Sequence, residues 1–248
     1  MTRTLDRLSL HDMRFDCIVG LFGYERNTPQ PVRLDVTLHL DTRTAARDGR
    51  LTSTLDYSRL LGELRFVMVA ARFRLLESAA EAVAAWILLP PSADVPRPQV
   101  EAVDVRLSKL VALSGAAVPT LEIHRERGDL EFVTETKSFG YVDVVFETRE
   151  SGVYRERLHP HTVLPTHVHH HLDETELVLG DGLLLQGAPV VAGTAHTWPR
   201  GFPHRYENVT DIEQSFLCID RPAFIPTDEV EVDVPIEALT RTEPMRFF

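Results

Sequence analysis

The chain has 248 residues, a formal net charge of −11 and two cysteines. Its length suits one large domain or two of ordinary size. An acidic chain without a basic cluster repels phosphate, so we expect no nucleic-acid partner and no anionic membrane partner. The longest apolar run, Ala82–Pro90, is too short to span a bilayer, and the first residues lack an apolar signal core. We therefore expect a cytoplasmic protein.

Charge divides the chain into two parts. Residues 1–128 hold 17 Lys+Arg against 16 Asp+Glu, whereas residues 129–248 hold 9 against 21 and 8 of the 11 histidines. This asymmetry predicts a boundary near Arg125, with domains at 1–125 and 126–248. Cys17 and Cys218 lie one in each part, which offers no disulfide framework and suits a reducing compartment. We expect both to be buried thiols.

Residues 30–41 alternate strictly between apolar and polar side chains, which is the period of a half-buried antiparallel strand. Further strands are predicted at 8–19, 101–107 and 120–124. Between these pairs, 56–71 carries apolar residues at helical spacing, and 75–86 is rich in strong helix formers. The order ββααββ predicts an α+β layer with helices on one face of an antiparallel sheet.

Four short blocks of this first part occur in a fixed order over about 120 residues. They are Gly20-Leu-Phe-Gly-Tyr-Glu25-Arg followed by Gln30, then Leu55-Asp-Tyr57, Leu75-Leu-Glu77-Ser-Ala-Ala-Glu and Val105-Arg-Leu-Ser-Lys109. In order and spacing they resemble the dihydroneopterin aldolases and their epimerase relatives. The resemblance implies the tunnelling fold, in which ββααββ subunits join into rings with active sites between neighbours. It therefore implies a homo-oligomer, a tetramer or an octamer.

The resemblance also implies a site for a small dihydropterin substrate that needs no cofactor. Retro-aldol cleavage removes a proton from the hydroxyl beside the breaking C–C bond, while the pterin's own C=N unit takes up the electrons. Lys109 matches the family's catalytic lysine, and a lysine amine can act as the base where its surroundings favour the neutral form. Glu25 and Tyr57 would contact the side-chain hydroxyls and the ring pocket. Glu77, with Leu76, would bind the amino-pyrimidinone edge.

The sequence departs from the family pattern directly after the lysine. Leu110 stands where the family usually has proline, and the segment 111–117 lacks the tyrosine that some members use as a proton donor. Both dihydroneopterin cleavage and dihydropterin epimerisation therefore stay open.

The second part contains short strand-like runs punctuated by glycine and proline, with no clear helix. This pattern predicts an all-β barrel or double sheet. Strands are predicted at 130–134, 141–147, 152–158, 175–179, 183–186, 190–191, 214–219 and 229–234.

Four residues of the second part have the spacing of a metal site. On a strand, side chains two residues apart share a face, which puts His167 and His169 together. Glu174 follows after a short turn, and His204 arrives about thirty residues later. Three imidazoles and a carboxylate can hold Fe, Mn, Ni, Co, Cu or Zn and leave positions open. The spacing H-x-H-x4-E, then P-x-G-x2-H-x3-N, resembles the two motifs of the cupin superfamily, whose fold is a double-stranded β-helix (jelly roll).

A second register of this site preserves the same four-residue gap with His169, His171 and Glu176. In the first register Glu176 also points into the barrel, and His171 joins that face if the strand continues. Either residue would then contact the metal ligands without binding the metal, and Glu176 could instead act as a general base.

The leading interpretation is a bifunctional enzyme of pterin and folate synthesis, a dihydroneopterin aldolase-like lyase fused to a metal-binding cupin. One alternative places the main activity in the cupin, as a metal-dependent oxygenase or isomerase, with the first domain as a pterin-binding or oligomerising scaffold. Another is a regulator whose cupin senses a small molecule.

Overall fold

A computed structural model describes residues 4–248 and separates into two compact units. The first unit comprises the residues up to Pro91 together with Pro96–Glu131, and the second comprises Ser92–Val95 and Phe132–Phe248. The sequence boundary was expected at Arg125, whereas the change of unit falls at Glu131–Phe132. Residues 1–3, on which the prediction about a signal segment partly rests, lie outside the described residues.

The first unit is an antiparallel sheet covered by helices, as predicted. Its strands pair in the order β1-β2-β3-β4, and two long helices lie between the second and third strands. The elements are β1 (Asp6–Cys17), α1 (Gly23–Asn27), β2 (Gln30–Leu40), α2 (Arg43–Asp48), α3 (Tyr57–Ala71), α4 (Leu76–Leu88), β3 (Ala102–Lys109) and β4 (Thr120–Glu126). The short helices α1 and α2 were not predicted, because five or six residues are too few to display a helical period.

The alternation of β2 sets the position of the core. Val32, Leu34 and Leu38 are fully buried, whereas Arg33 and Asp35 on the other face are partly exposed. The apolar face lies under α3 and α4, whose inner residues are also buried. Burial of this face gives the main free energy of folding of the unit.

The second unit consists of two antiparallel sheets, which matches the predicted all-β class. The seven-stranded sheet has the order β16-β12-β9-β14-β7-β6-β5, and the five-stranded sheet has the order β11-β10-β13-β8-β15. The strands are β5 (Val133–Lys137), β6 (Gly140–Glu147), β7 (Gly152–Leu158), β8 (Thr162–Val168), β9 (Asp173–Val178), β10 (Leu183–Leu185), β11 (Ala188–Pro189), β12 (Thr194–Trp198), β13 (His204–Asn208), β14 (Gln214–Arg221), β15 (Val230–Glu231) and β16 (Met245–Arg246).

One strand prediction of the second unit was wrong, and a neighbouring strand was not predicted. The pair 190–191 is not a strand, and the neighbouring Thr-Ala-His-Thr-Trp segment forms β12 instead. That segment contains no β-branched apolar residue, yet Ala195 and Trp198 are almost fully buried. Pairing with β9 fixes it as a strand, and this contact is not visible in the local pattern.

Both cysteines are free and buried, as expected. Among the helices of residues 4–248, none is long and apolar enough to cross a membrane.

Candidate functional site

The first unit brings Glu25 and Lys109 into direct contact. Lys109 is the last residue of β3, and Glu25 lies in the short helix α1. The Lys109 Nζ donates a hydrogen bond to Glu25 Oε1, and the side chains are only 12% and 7% exposed. The backbone N–H of Phe22 donates to Glu25 Oε2 over 3.0 Å. Burial by itself raises the pKa of the Glu25 carboxyl, but the hydrogen bonds from Lys109 and Phe22 outweigh it and lower that pKa.

A glycine makes room for the Glu25 carboxylate. Gly20 has φ +150°, and a Cβ built on it would lie 2.2 Å from Glu25 Cδ. Gln30, at the start of β2, donates from Nε2 to Val19 O over 2.6 Å and also hydrogen-bonds Glu25. Both residues belong to the first of the four sequence blocks, in which no role was predicted for them. The signal for Gln30 was a polar residue at the inward position of an otherwise apolar strand face.

The other predicted substrate residues lie at the starts of the two long helices. Tyr57 begins α3 and is 63% exposed, after Asp56, which caps the helix by accepting from the backbone N–H groups of residues 58 and 59. Leu76 begins α4, and Glu77 follows in its first turn with an exposed side chain. Within residues 4–248, no hydrogen bond or ion pair joins Tyr57 or Glu77 to the Glu25–Lys109 pair. One chain therefore joins Glu25 to Lys109 and leaves the side chains of Tyr57 and Glu77 exposed.

Leu110, which replaces the family proline, uses a backbone donor that proline lacks. Its N–H donates to Pro31 O over 3.2 Å, and the N–H of Lys109 donates to Pro119 O over 3.0 Å. These two bonds fix the end of β3, so the lysine is held without the rigid proline ring.

The second unit gathers the four predicted metal-site residues into one buried cluster. His167 lies on β8, His169 just after it, Glu174 on β9 and His204 at the start of β13. One ligand atom from each lies within 4.8 Å of all the others, and each residue is at most 5% exposed. Glu174 Oε2 is 2.7 Å from His204 Nε2 and 3.5 Å from His169 Nε2.

Backbone carbonyls orient two of the imidazoles. His167 Nδ1 is 2.8 Å from Pro165 O, and His204 Nδ1 is 3.2 Å from Phe202 O. With the proton on Nδ1, each ring points a free Nε2 lone pair at the cluster centre. The turn before His204 also positions His169, because Gly201, at φ +75°, donates its N–H to His169 O.

The buried polar atoms of the cluster are unsatisfied, as in a metal site. Glu174 Oε2 and His204 Nε2 have no hydrogen-bond partner of good geometry within residues 4–248. Burial, with the neighbouring His204, lowers the pKa of His167 to about 3, so its imidazole is neutral at pH 7. Burial raises the pKa of Glu174, but the adjacent imidazoles overcome that effect and hold this pKa well below its ordinary value. Neutral imidazoles and an ionised carboxylate are the forms that bind a divalent cation.

The structure corrects the expectation for His171. Its side chain is 75% exposed, and its Nδ1 is 2.6 Å from Asp228 Oδ1, away from the cluster. The alternative register through His171 is therefore not assembled. Glu176 is 1% exposed, accepts a hydrogen bond from Trp198 Nε1, and has Oε1 4.0 Å from His204 Nε2. Its role beside the metal ligands stays a prediction.

A recess of about 90 Å³ opens beside the cluster. His167, His169 and Glu174 contribute to its wall, together with Glu156 on β7 and Asp220 on β14. Cys218 lies next to it, with Sγ 3.1 Å from Glu174 Oε1. None of these last three residues was predicted to lie at the site, although Cys218 was expected to be a buried thiol. Their only signal was a polar side chain at alternate positions of a strand, which does not distinguish a barrel interior from a solvated face.

Comparison with known proteins assigns the first unit. Residues 8–124 match the family model of dihydroneopterin aldolase (FolB). A dihydroneopterin aldolase from Streptomyces coelicolor is 34% identical over 80 residues, which is 32% of this chain and 67% of that protein. The structure of E. coli dihydroneopterin aldolase in complex with neopterin is 26% identical, covers 48% of this chain and 98% of that chain, and has a TM-score of 0.43.

A sugar phosphate isomerase of the cupin superfamily from Silicibacter pomeroyi is 27% identical, covers 32% of this chain and 59% of that chain, and has a TM-score of 0.29. The second unit is an all-β domain of two antiparallel sheets. Through the match of residues 8–124 and the identity to the Streptomyces enzyme, the chain belongs to the dihydroneopterin aldolase family.

Proposed function

We propose that the first unit cleaves 7,8-dihydroneopterin, or a related dihydropterin, to 6-hydroxymethyl-7,8-dihydropterin and glycolaldehyde. The buried Glu25–Lys109 pair is the observation that carries the proposal. The Glu25 carboxylate fixes the position of the Lys109 Nζ. In its neutral form, the Lys109 amine can accept the proton of the substrate hydroxyl.

Cleavage of the C–C bond then leaves its electron pair on the carbon attached to the pterin, where the ring C=N unit delocalises it. Return of a proton to that carbon completes the hydroxymethyl product. Lys109 acts only as an acid and a base in this scheme, so no covalent bond to the substrate forms. Tyr57, Leu76 and Glu77 would bind the substrate, and the exposed Glu77 carboxylate is available to accept two N–H bonds from an amino-pyrimidinone.

A homo-oligomeric ring, a tetramer or an octamer, is part of the proposal. Large apolar side chains near the pair are exposed in the single chain, including Phe22 at 64% and Tyr24 at 69%, whose rings stack 5.8 Å apart. Exposed aromatic clusters favour association with another chain. Light scattering of the purified protein measures the assembly.

The test is a cleavage assay on dihydroneopterin with three variants. Lys109→Met and Glu25→Gln should each lose at least a hundredfold in kcat/KM. Lys137→Met is the matched control, since Lys137 is the other lysine of the chain and belongs to the second unit, and it should keep full activity. Full activity of Lys109→Met would refute the assignment. Product analysis by NMR separates cleavage from epimerisation, the alternative that Leu110 leaves open.

In the second unit, His167, His169, Glu174 and His204 would hold a divalent transition metal (Fe, Mn, Ni, Co, Cu or Zn). The unsatisfied Glu174 and His204 atoms support this proposal. When bound, the ion supplies a Lewis acid at the wall of the recess. Metal analysis of untagged wild-type protein and of the His167→Ala/His204→Ala double variant tests it, since metal should be retained only by the wild type.

A second candidate function places the main activity in this centre, as an oxygenase or isomerase, with the first unit as a scaffold. The buried four-ligand cluster favours it. Loss of dihydroneopterin cleavage in Lys109→Met with unchanged metal content would count against the scaffold role.

A further inference from the structure

Three polar side chains meet on the sheet face of the first unit that is turned away from its helices. His39 lies on β2, Asp104 on β3 and His124 on β4. His124 is the direct cross-strand neighbour of Asp104, and His39 lies diagonally across from it, since Asp104 pairs with Thr37. The alternation of each strand places all three side chains on the same face.

The two imidazoles converge on one carboxylate. His39 Nε2 is 2.7 Å from Asp104 Oδ2, and His124 Nδ1 is 2.7 Å from Asp104 Oδ1. The strands of the two histidines flank β3 and therefore lie about 9–10 Å apart, yet the ring centres are only 5.8 Å apart. Both rings lean over β3, so the three groups form a cluster and do not project independently into solvent.

The donor atoms of this cluster have the spacing of a metal site. One ligand atom from each of the three residues lies within 4.8 Å of the other two. An ion with bonds of about 2.0–2.2 Å to nitrogen and oxygen needs its ligand atoms roughly 3 Å apart, so side-chain movements of less than about 1 Å make room for it. Two imidazoles and one carboxylate suit Zn²⁺ and similar first-row ions and leave positions for water.

The surroundings of the cluster allow an ion to enter, because all three side chains are accessible to solvent. Arg7 is a cation beside the cluster, with Nη2 3.6 Å from Asp104 Oδ2, but its side chain is largely exposed and can move away. Glu126 Oε1 lies 4.0 Å from His124 Nε2, the ring nitrogen that faces away from Asp104. A carboxylate on that side favours binding of a cation by the other nitrogen of the ring.

We propose that His39, Asp104 and His124 bind Zn²⁺ or a similar first-row divalent ion. The site is distinct from the Glu25–Lys109 pair, because Lys109 lies at the far end of β3, five residues or roughly 17 Å from Asp104. The ion would join β2, β3 and β4 through their side chains. Since β4 is the outer strand of this sheet, the ion would hold the sheet edge in place.

The test counts zinc ions per chain in full-length protein at a fixed micromolar concentration of free Zn²⁺ and pH 7.5. His39→Ala and His124→Ala should each bind one ion fewer than the wild type. His11→Ala is the matched control, because His11 is an exposed histidine of the same sheet face outside the cluster, and it should bind as many ions as the wild type. Equal zinc content in the wild type and folded His39→Ala would overturn the proposal.

The count also separates this site from the cluster of the second unit. Loss of one ion in His39→Ala is expected whether or not the second unit holds an ion of its own. A wild type that binds a single ion, lost in His39→Ala, would count against the second-unit centre alone. A single ion that is retained in His39→Ala would refute the site on the sheet.

Asp104→Asn distinguishes a metal site from a hydrogen-bond network. Asparagine has the same shape and can still hydrogen-bond His39 and His124, but it lacks the charge that binds a cation. The zinc affinity of the site should therefore fall at least tenfold. An unchanged affinity would contradict a role of Asp104 as a ligand.

Hydrogen exchange measures the effect at the sheet itself. Zn²⁺ should slow amide exchange in β4 at least threefold in the wild type, because a bound ion opposes local opening of the outer strand. The same addition should leave β4 unchanged in His39→Ala, whose folding is checked by circular dichroism. Equal slowing in both proteins would show that zinc acts elsewhere and would refute the proposed role.

Discussion

Gly20→Ala tests whether the position of the Glu25 carboxylate controls activity in the first unit. The added Cβ would lie 2.2 Å from Glu25 Cδ and Oε2 and 2.6 Å from Oε1. The favourable contact distance between non-bonded carbon atoms is about 3.5 Å or more, so the Glu25 carboxylate must move by roughly 1 Å. That movement pulls Oε1 from Lys109 and Oε2 from the Phe22 N–H.

Gly20→Ala should lower both the stability and the activity of the protein, by different amounts. Alanine at φ +150° adds backbone strain of about 1–3 kcal/mol, which should appear as a lower free energy of unfolding. A displacement of about 1 Å at a catalytic group costs on the order of 10²-fold in rate. We therefore expect kcat/KM for dihydroneopterin to fall about a hundredfold in a protein that remains folded.

Gly23→Ala is the control, three residues further along the same segment. No atom lies within 4 Å of a Cβ at Gly23, and its φ is not positive. It should keep kcat/KM within twofold of the wild type. If folded Gly20→Ala protein, monitored by circular dichroism and urea unfolding, also retained activity within threefold, the proposed role of Glu25 in positioning Lys109 would be wrong.

Three further outcomes are expected. His169→Ala should abolish metal retention in elemental analysis, whereas His171→Ala should leave it unchanged, because His171 is exposed and bound to Asp228; equal losses would refute the ligand set. Asp143→Asn should lower the urea-unfolding free energy by about 3–5 kcal/mol, since it leaves the guanidinium groups of Arg155 and Arg157 without their shared carboxylate. In metal-free protein, the depressed pKa of His167, about 3 against about 6.5 unfolded, stabilises the fold above pH 6.5, and this contribution is lost as pH falls toward 3. His167→Gln should therefore show a shallower fall in stability between pH 6.5 and 4, and an unchanged slope would contradict the shift.

Local pattern determined the long helices, most of the longer strands and the chemical types at both sites. The strict alternation of residues 30–41 predicted β2 because a strand buries every second side chain. The same period predicted that His167 and His169 share a face, which the structure confirms. These inferences succeed because each depends on neighbours in sequence.

Tertiary contacts decided which residues meet. Glu25 and Lys109 are 84 positions apart, and only the folding of α1 against the end of β3 joins them. The choice between the two histidine registers depends on Asp228, which accepts the backbone N–H groups of residues 170, 171 and 172 and turns the chain out of β8. The sequence around His171 does not indicate that a carboxylate 57 residues away will bind its backbone N–H. The sequence by itself therefore determined the candidate ligands, and the turn at Asp228 selected among them.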